Sequence, residues 1–238
     1  MKISLLVTCL GDALYPDVGV ATVRLLRRLG VEVAFPQAQT CCGQPHFNSG
    51  YRTHARDLAR HTIRAFDGDS LVVAPSGSCA AMVKLEYPEL FAEDRYLRRR
   101  AEDLARRTHE LSDFLVNVLG VEDVGARFEG KVTYHMACHL RGLGVKGEPE
   151  RLIHKVKGLD FVPLERVDEC CGFGGSFSVR YPGISGAMVA DKAALIEKTG
   201  ADAVVATDAG CLMNIAGCLH RRGSRVKAMH LAELLEKT

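Results

Sequence analysis

The chain has 238 residues, 47% of them hydrophobic, and its 31 basic and 29 acidic side chains leave a formal net charge of +2. That length can bury a full core in one large domain or two compact ones, and the near-cancelling charge excludes the strongly basic face of a nucleic-acid binder. Nine cysteines are an odd number, in a chain too large to depend on disulfide staples, so they point to metal or redox chemistry in a reducing compartment.

In chain order, "KISLLVTC" (2–9) is a short β-rich run that ends at Cys9. Its apolar part is shorter than the about 7 to 15 residues of a signal core. No stretch reaches the about 18 apolar residues of a membrane span. The sequence therefore reads as cytoplasmic and not integral to a membrane. "PDVGVATVRLLRRLG" (16–30) has a helical pattern closed by glycine, and "VEVAFP" (31–36) reads as a strand. "QTCCGQPHFNSG" (39–50) places Cys41 and Cys42 side by side in a loop before the helical "GYRTHARDLARHTIRAF" (50–66). "SLVVAPSGSC" (70–79) reads as a buried strand running into a turn at Cys79, with a short helix beyond. A charged segment, "FAEDRYLRRRAEDLARR" (91–107), and a late helix, "LSDFLVNVL" (111–119), complete the first half.

The plan then repeats. "KVTYHMAC" (131–138), "EPERLIHKVKG" (148–158), "LDFVPL" (159–164), "DECCGFGGSFSV" (168–179), "SGAMVADKAALIEKTG" (185–200), "ADAVVATDAGC" (201–211) and "LAELLEK" (231–237) follow the same strand and helix order. Only the charged segment lacks a counterpart. The spacing repeats as well: Cys9 precedes Cys41 by 32 positions, as Cys138 precedes Cys170, while Cys79 follows Cys42 by 37 and Cys211 follows Cys171 by 40. The boundary falls near "GARFEGK", between a first repeat, 1–129, and a second, 130–238. Strands alternating with helices predict an α/β fold. It would have two halves related by a pseudo-two-fold axis, each a parallel sheet flanked by helices.

Ligands of open parallel sheets sit beyond the carboxyl ends of the strands, and each of these eight cysteines follows a predicted strand. Cys9, Cys41, Cys42 and Cys79 should therefore meet at one place, and Cys138, Cys170, Cys171 and Cys211 at another. Cys79 and Cys211 open helices, whose positive ends favour thiolate. Gly43 and Gly172 remove a Cβ where the chain must turn or approach a bulky cofactor. Four thiolates select zinc or an iron–sulfur cluster. Vicinal pairs on long loops, unlike tight C-x2-C hairpins, favour a multi-iron cluster, with zinc as the alternative. Against these stands the plain reading of buried cysteines as small hydrophobes, which explains neither spacing nor repeat. Cys218, two helical turns after Cys211, does read as core. His46, His135 and His139 suit ligand, proton-carrying or structural roles. "GFGGS" lacks the lysine of a phosphate loop.

The doubled C…CCG…C pattern resembles the cysteine-rich (CCG) domain family. That family includes the cysteine-rich subunit of heterodisulfide reductase and the iron–sulfur subunits of glycolate oxidase and anaerobic glycerol-3-phosphate dehydrogenase. Stretches such as "QTCCGQPHFNSGYR", "VTYHMACHLRGLGVK" and "CCGFGGSFSVRYPGIS" are similar to its lactate-utilisation branch, and together such stretches cover nearly the whole chain. The resemblance implies an iron–sulfur electron-transfer subunit of a complex that oxidises L-lactate to pyruvate. It also implies companion subunits, one with ferredoxin-type clusters. Many relatives end each motif with C-x-x-C; here Met82 and Asn214 stand at those places. With four cysteines per set, an ordinary [4Fe-4S] cluster, at one or both sets, is the expected cofactor. A thiol–disulfide redox subunit and a zinc-stabilised assembly scaffold are the alternatives.

Overall fold

Strand β1 (Lys2–Leu5) lies between β2 (Glu32–Ala34) and β3 (Leu71–Ala74), and β4 (Thr108–Glu110) closes the sheet in the order β2-β1-β3-β4. Every pairing is parallel, with Ile3 opposite both Val33 and Leu71, and Val73 opposite His109. The second sheet is built from β5 (Arg127–Tyr134), β6 (Lys157–Phe161), β7 (Ala203–Ala206) and β8 (Lys227–His230). Its order, β6-β5-β7-β8, is that of the first, and it too is parallel throughout. This computed structural model describes all residues, 1–238, and it is the expected α/β fold with two similar halves. No helix is long and apolar enough to cross a membrane.

The central strands are apolar on both faces because helices cover both; all four residues of β7 are buried. The helix Pro16–Arg28 shows how local sequence sets one such cover. Pro16 suits the first turn, Arg27 and Arg28 occupy the last, and Gly30 follows with φ 77°. Val18, Ala21, Leu25 and Leu26 recur on one buried face. The core beneath does not respect the repeat boundary. Ile3, Leu25 and Val73 belong to one hydrophobic cluster with Val132, Val205 and Leu231. Arg28 joins the halves again, donating to the Leu235 and Glu236 carbonyls at the end of the last helix, Leu231–Glu236.

Several elements differ from the sequence reading. β4 and β8 were not expected: "THE" and "KAMH" carry no apolar run, and each pairs on one side only. The helix expected over 148–158 ends at Ile153, and β6 begins at Lys157, before the expected 159. There the Lys157 N–H bonds the Ala126 carbonyl, so strand pairing takes over from the helix. The helix after Cys211 is not short: Ala209–Arg221 runs for 13 residues. Cys9 and Cys138 open helices of their own, Cys9–Leu14 and Cys138–Gly142. The charged segment forms Arg95–Arg107, with Asp94 capping its N-terminus.

Candidate metal centre

All eight repeat cysteines follow strands at their carboxyl ends, and two sulfur pairs in the first half are in contact from distant parts of the chain. Cys9 Sγ is 3.5 Å from Cys41 Sγ, and Cys42 Sγ is 3.4 Å from Cys79 Sγ. These are thiol contacts and not disulfides, and all nine cysteines are free. In the second half Cys138 and Cys171 lie close enough to Cys170, and Cys211 to Cys171, to shift one another's ionisation. Each CCG loop is pinned from outside. The Tyr87 hydroxyl donates to the Cys42 carbonyl and the Asn214 amide to the Cys171 carbonyl, both at 2.8 Å.

Neighbouring donors concentrate thiolate character at one cysteine per set. Cys41 is held well below the ordinary thiol range, chiefly by the Cys42 thiol and then by Cys9. Cys170 is lowered by Cys138 and then Cys171. The N–H of Gly43 and of Gly172 also points at these sulfurs, at 3.4 Å in each case. Cys42 and Cys171 are raised, because they donate to their neighbours and are buried. The two glycines sit in the left-handed region, φ 88° and 79°, and each packs on the following helix.

The two sets face one cavity of about 450 Å³. Cys9, Cys42 and Cys79 line it with Cys138, Cys170 and Cys211. No lysine or arginine does. The sequence reading put each set at its own sheet; that both open onto a common space is a product of the packing between halves.

Contacts across the cavity floor tie the sets together. Asp208 Oδ1 accepts from Ser76 Oγ and Ser78 Oγ, both at 2.6 Å, and from Ser78 N at 3.2 Å. Asp208 and Ser76 each stand at the N-cap position of a helix three residues before a site cysteine, Cys211 and Cys79; the Ser76 hydroxyl accepts from the Cys79 N–H, whereas the Asp208 carboxylate makes no bond to its own helix. One half's cap is thus held by the other's. Gln44 Nε2 donates to the Ser78 carbonyl at 3.0 Å and lies 3.2 Å from His139 Nε2. Sequence reasoning missed Asp208 and Gln44. The signal for Asp208 was a carboxylate in "TDAGC" where "PSGSC" has serine.

The histidines part company. His139 lies in the cavity, its Nδ1 3.6 Å from Cys138 Sγ. His46 stacks on His54 with ring centroids 5.7 Å apart, and its charged form favours thiolate at Cys41. His135 is buried, and burial pushes its pKa down to about 4. One imidazole nitrogen of His135 and the sulfurs of Cys171 and Cys211 all lie within 4.8 Å of one another. Met82 is a core residue, packed in the cluster around Tyr87 and Phe91, and Cys218 packs with Ile215 and Leu219.

The donor set fits a soft metal or an iron–sulfur group. A single tetrahedral zinc with Zn–S near 2.3 Å would hold its sulfurs about 3.8 Å apart. No three sulfurs of the first set gather within 4.8 Å of one another. That set is joined by two close contacts, Cys9 to Cys41 and Cys42 to Cys79.

The chain was compared with known proteins. The model of the cysteine-rich domain (CCG) matches residues 3–84 and 132–216, one copy in each half. Lactate utilization protein A of Geobacillus sp. (strain WCH70) is 52% identical over 236 residues, covering 99% of each chain. The protein of that name from Geobacillus thermodenitrificans is 53% identical, covering 99% of this chain and 98% of its own. That from Bacillus licheniformis is 51% identical over 99% of both. Among solved structures, an aspartate racemase homologue from Pyrococcus horikoshii OT3 overlaps with a TM-score of 0.34 at 12% identity, covering 99% of this chain and 96% of its own. That likeness is too slight to support an inference.

Proposed function

Because the chain belongs to the cysteine-rich (CCG) domain family, we propose that it is the iron–sulfur electron-transfer subunit of a system that oxidises L-lactate to pyruvate. The observation that carries the reading is the convergence of two matched cysteine sets on one cavity, three cysteines of each lining it. Cys9, Cys41, Cys42 and Cys79 would hold one [4Fe-4S] cluster, and Cys138, Cys170, Cys171 and Cys211 a second. A bound cluster supplies one-electron transfer.

The chain's own residues supply the setting. Gly43 and Gly172 bring the backbone close and aim N–H groups at sulfur. Hydrogen bonds of this kind tune reduction potential. With no lysine or arginine in its lining, the cavity offers no fixed positive charge to a lactate carboxylate. Lactate and its hydride acceptor therefore belong on companion subunits, one with ferredoxin-type clusters. The names of the relatives support the lactate assignment. Free thiols in this number suit the cytoplasm. The repeats are drawn at 1–129 and 130–238.

The test is iron, sulfide and zinc content of protein purified without oxygen, with an EPR spectrum after reduction. About four irons per filled set and a reduced-cluster signal are expected. Zinc in place of iron, from iron-rich growth, would replace this reading with a zinc-stabilised scaffold. A second reading rests on the thiolate character of Cys41 and Cys170 beside donor thiols: direct thiol–disulfide chemistry. It requires a mixed disulfide that single Cys→Ser variants can trap, and failure to trap one removes it.

A further inference from the structure

His135 stands three residues before Cys138, and Leu6 stands three before Cys9. The two halves therefore place different chemistry at one position. Leu6 is a buried apolar residue that packs in the first half's core. His135 is 1% exposed, and neither ring nitrogen has a hydrogen-bond partner. A buried imidazole left so keeps its full desolvation penalty, and a native fold keeps such a group where something else satisfies it. What lies next to it is sulfur: one ring nitrogen is within 4.8 Å of both Cys171 and Cys211. The Val167 carbonyl also approaches the ring without reaching hydrogen-bond geometry. Metal-bound histidines are oriented by such a carbonyl taking the second ring N–H.

We propose that His135 is a nitrogen ligand of the metal held by Cys171 and Cys211, so that the second set is a mixed imidazole–thiolate centre while the first is thiolate alone. The proposal rests on the reading that the second set binds metal. In this arrangement His135 takes the place of one of the set's other two thiolates, Cys138 or Cys170; imidazole in place of thiolate removes negative charge from a centre and raises its reduction potential, as in clusters where two histidines replace two cysteines. The second site is then the better electron acceptor of the two.

The experiment uses the full chain with Cys41 and Cys42 changed to serine, so that only the second set is filled, loaded with iron and sulfide without oxygen and then reduced. Pulsed EPR should show strong coupling to a directly bound nitrogen. Protein grown with ¹⁵N-histidine should convert that coupling to the ¹⁵N pattern. His135→Leu, which copies the first half's residue, should abolish it and lower the reduction potential while iron stays bound through the cysteines. If His135→Leu fails to fold, the isotope experiment in a His139→Gln background, which removes the other histidine beside the second set, decides alone. Iron uptake without a histidine nitrogen coupling, or a coupling that survives in His135→Leu, overturns the proposal and leaves the cluster reading intact. No iron uptake at the second set overturns both.

Discussion

The two thiol sets share spacing, strand order and the position of their most acidic cysteine, yet their surroundings differ. The first is flanked by Leu6 and the second by His135. Gly43 rests on Ala55 and Leu58, and Gly172 on Ser185 and Met188. Carried along those helices, the same register sets Thr62 opposite Lys192. Both are buried, and the Lys192 charge reaches both His135 and Cys171. The second set therefore has an imidazole and a buried cation where the first has a methyl-rich side chain and a hydroxyl. A repeat fixes where donor atoms stand; the residues packed behind them decide how each centre behaves.

The largest expected effect separates the sets outright. Cys42→Ser should remove the iron of the first set and Cys171→Ser that of the second, each leaving the other's EPR signal. Loss of both signals in either variant would show the sets to be one inseparable centre. The readout is iron per chain with the spectrum of the reduced protein.

Next in size is the pair of residues that cap the last helix of each half. Glu110 caps Leu111 onward and His230 caps Leu231 onward. Burial raises Glu110 to about 7 from 4.5. Below pH 4.5 the carboxyl is protonated folded or unfolded and contributes no pH dependence. Between 4.5 and 7 the unfolded chain gives up its proton first, so stability falls as pH rises. Above 7 the cost is complete, on the order of 3 kcal/mol. Denaturant melts of Glu110→Gln should lack this fall, so that the variant gains on the parent between pH 5 and 8. Parallel curves would show that Glu110 is ionised in the fold at neutral pH.

The two glycines give a graded comparison. A Cβ on Gly172 would lie 2.7 Å from the Ser185 carbonyl oxygen, against 3.3 Å from Leu58 Cβ for Gly43. Both substitutions meet the strain of positive φ, but only Gly172→Ala also strikes backbone. We expect a loss of about 1 kcal/mol for Gly43→Ala and about 2 to 3 kcal/mol for Gly172→Ala. Equal losses, measured by urea denaturation, would mean that the second loop relaxes around the added carbon.

The subtlest spectroscopic effect tests whether the sets communicate. Asp208→Ala in the second half leaves Ser76 and Ser78 without their shared acceptor and should cost about 2 kcal/mol. Its mark should fall on the first set, since the freed turn carries Cys79: the first set's reduced EPR signal should broaden or shift. Asp208→Asn, which keeps an acceptor oxygen, should restore it. A change confined to the second set would show that the bonds from Ser76 and Ser78 to Asp208 do not couple the sets.

Much of this was legible in the chain. β1, β3, β5 and β7 announce themselves as short apolar runs, and the helix Pro16–Arg28 by a proline start, a periodic face and a glycine stop. The eight site cysteines stand out by spacing, and Met82 and Cys218 were readable as core. β4 and β8 were not legible, because a three- or four-residue edge strand is made by its neighbour's free hydrogen bonds and not by its own apolar pattern. Nor were Asp208, Gln44 and Lys192. Each is one polar residue among many, and only its partner across the fold gives it a role.

The sequence by itself determined the repeat, the α/β alternation and the two donor sets, because local periodicity and residue chemistry are written along the chain. The tertiary structure decided that both sets open onto one cavity, that Asp208 of one half holds the helix cap of the other, and that His135 turns its ring toward Cys171 and Cys211. Those facts depend on which faces meet when two similar halves pack through one core, and contacts between residues far apart in the chain leave no periodic mark in either segment.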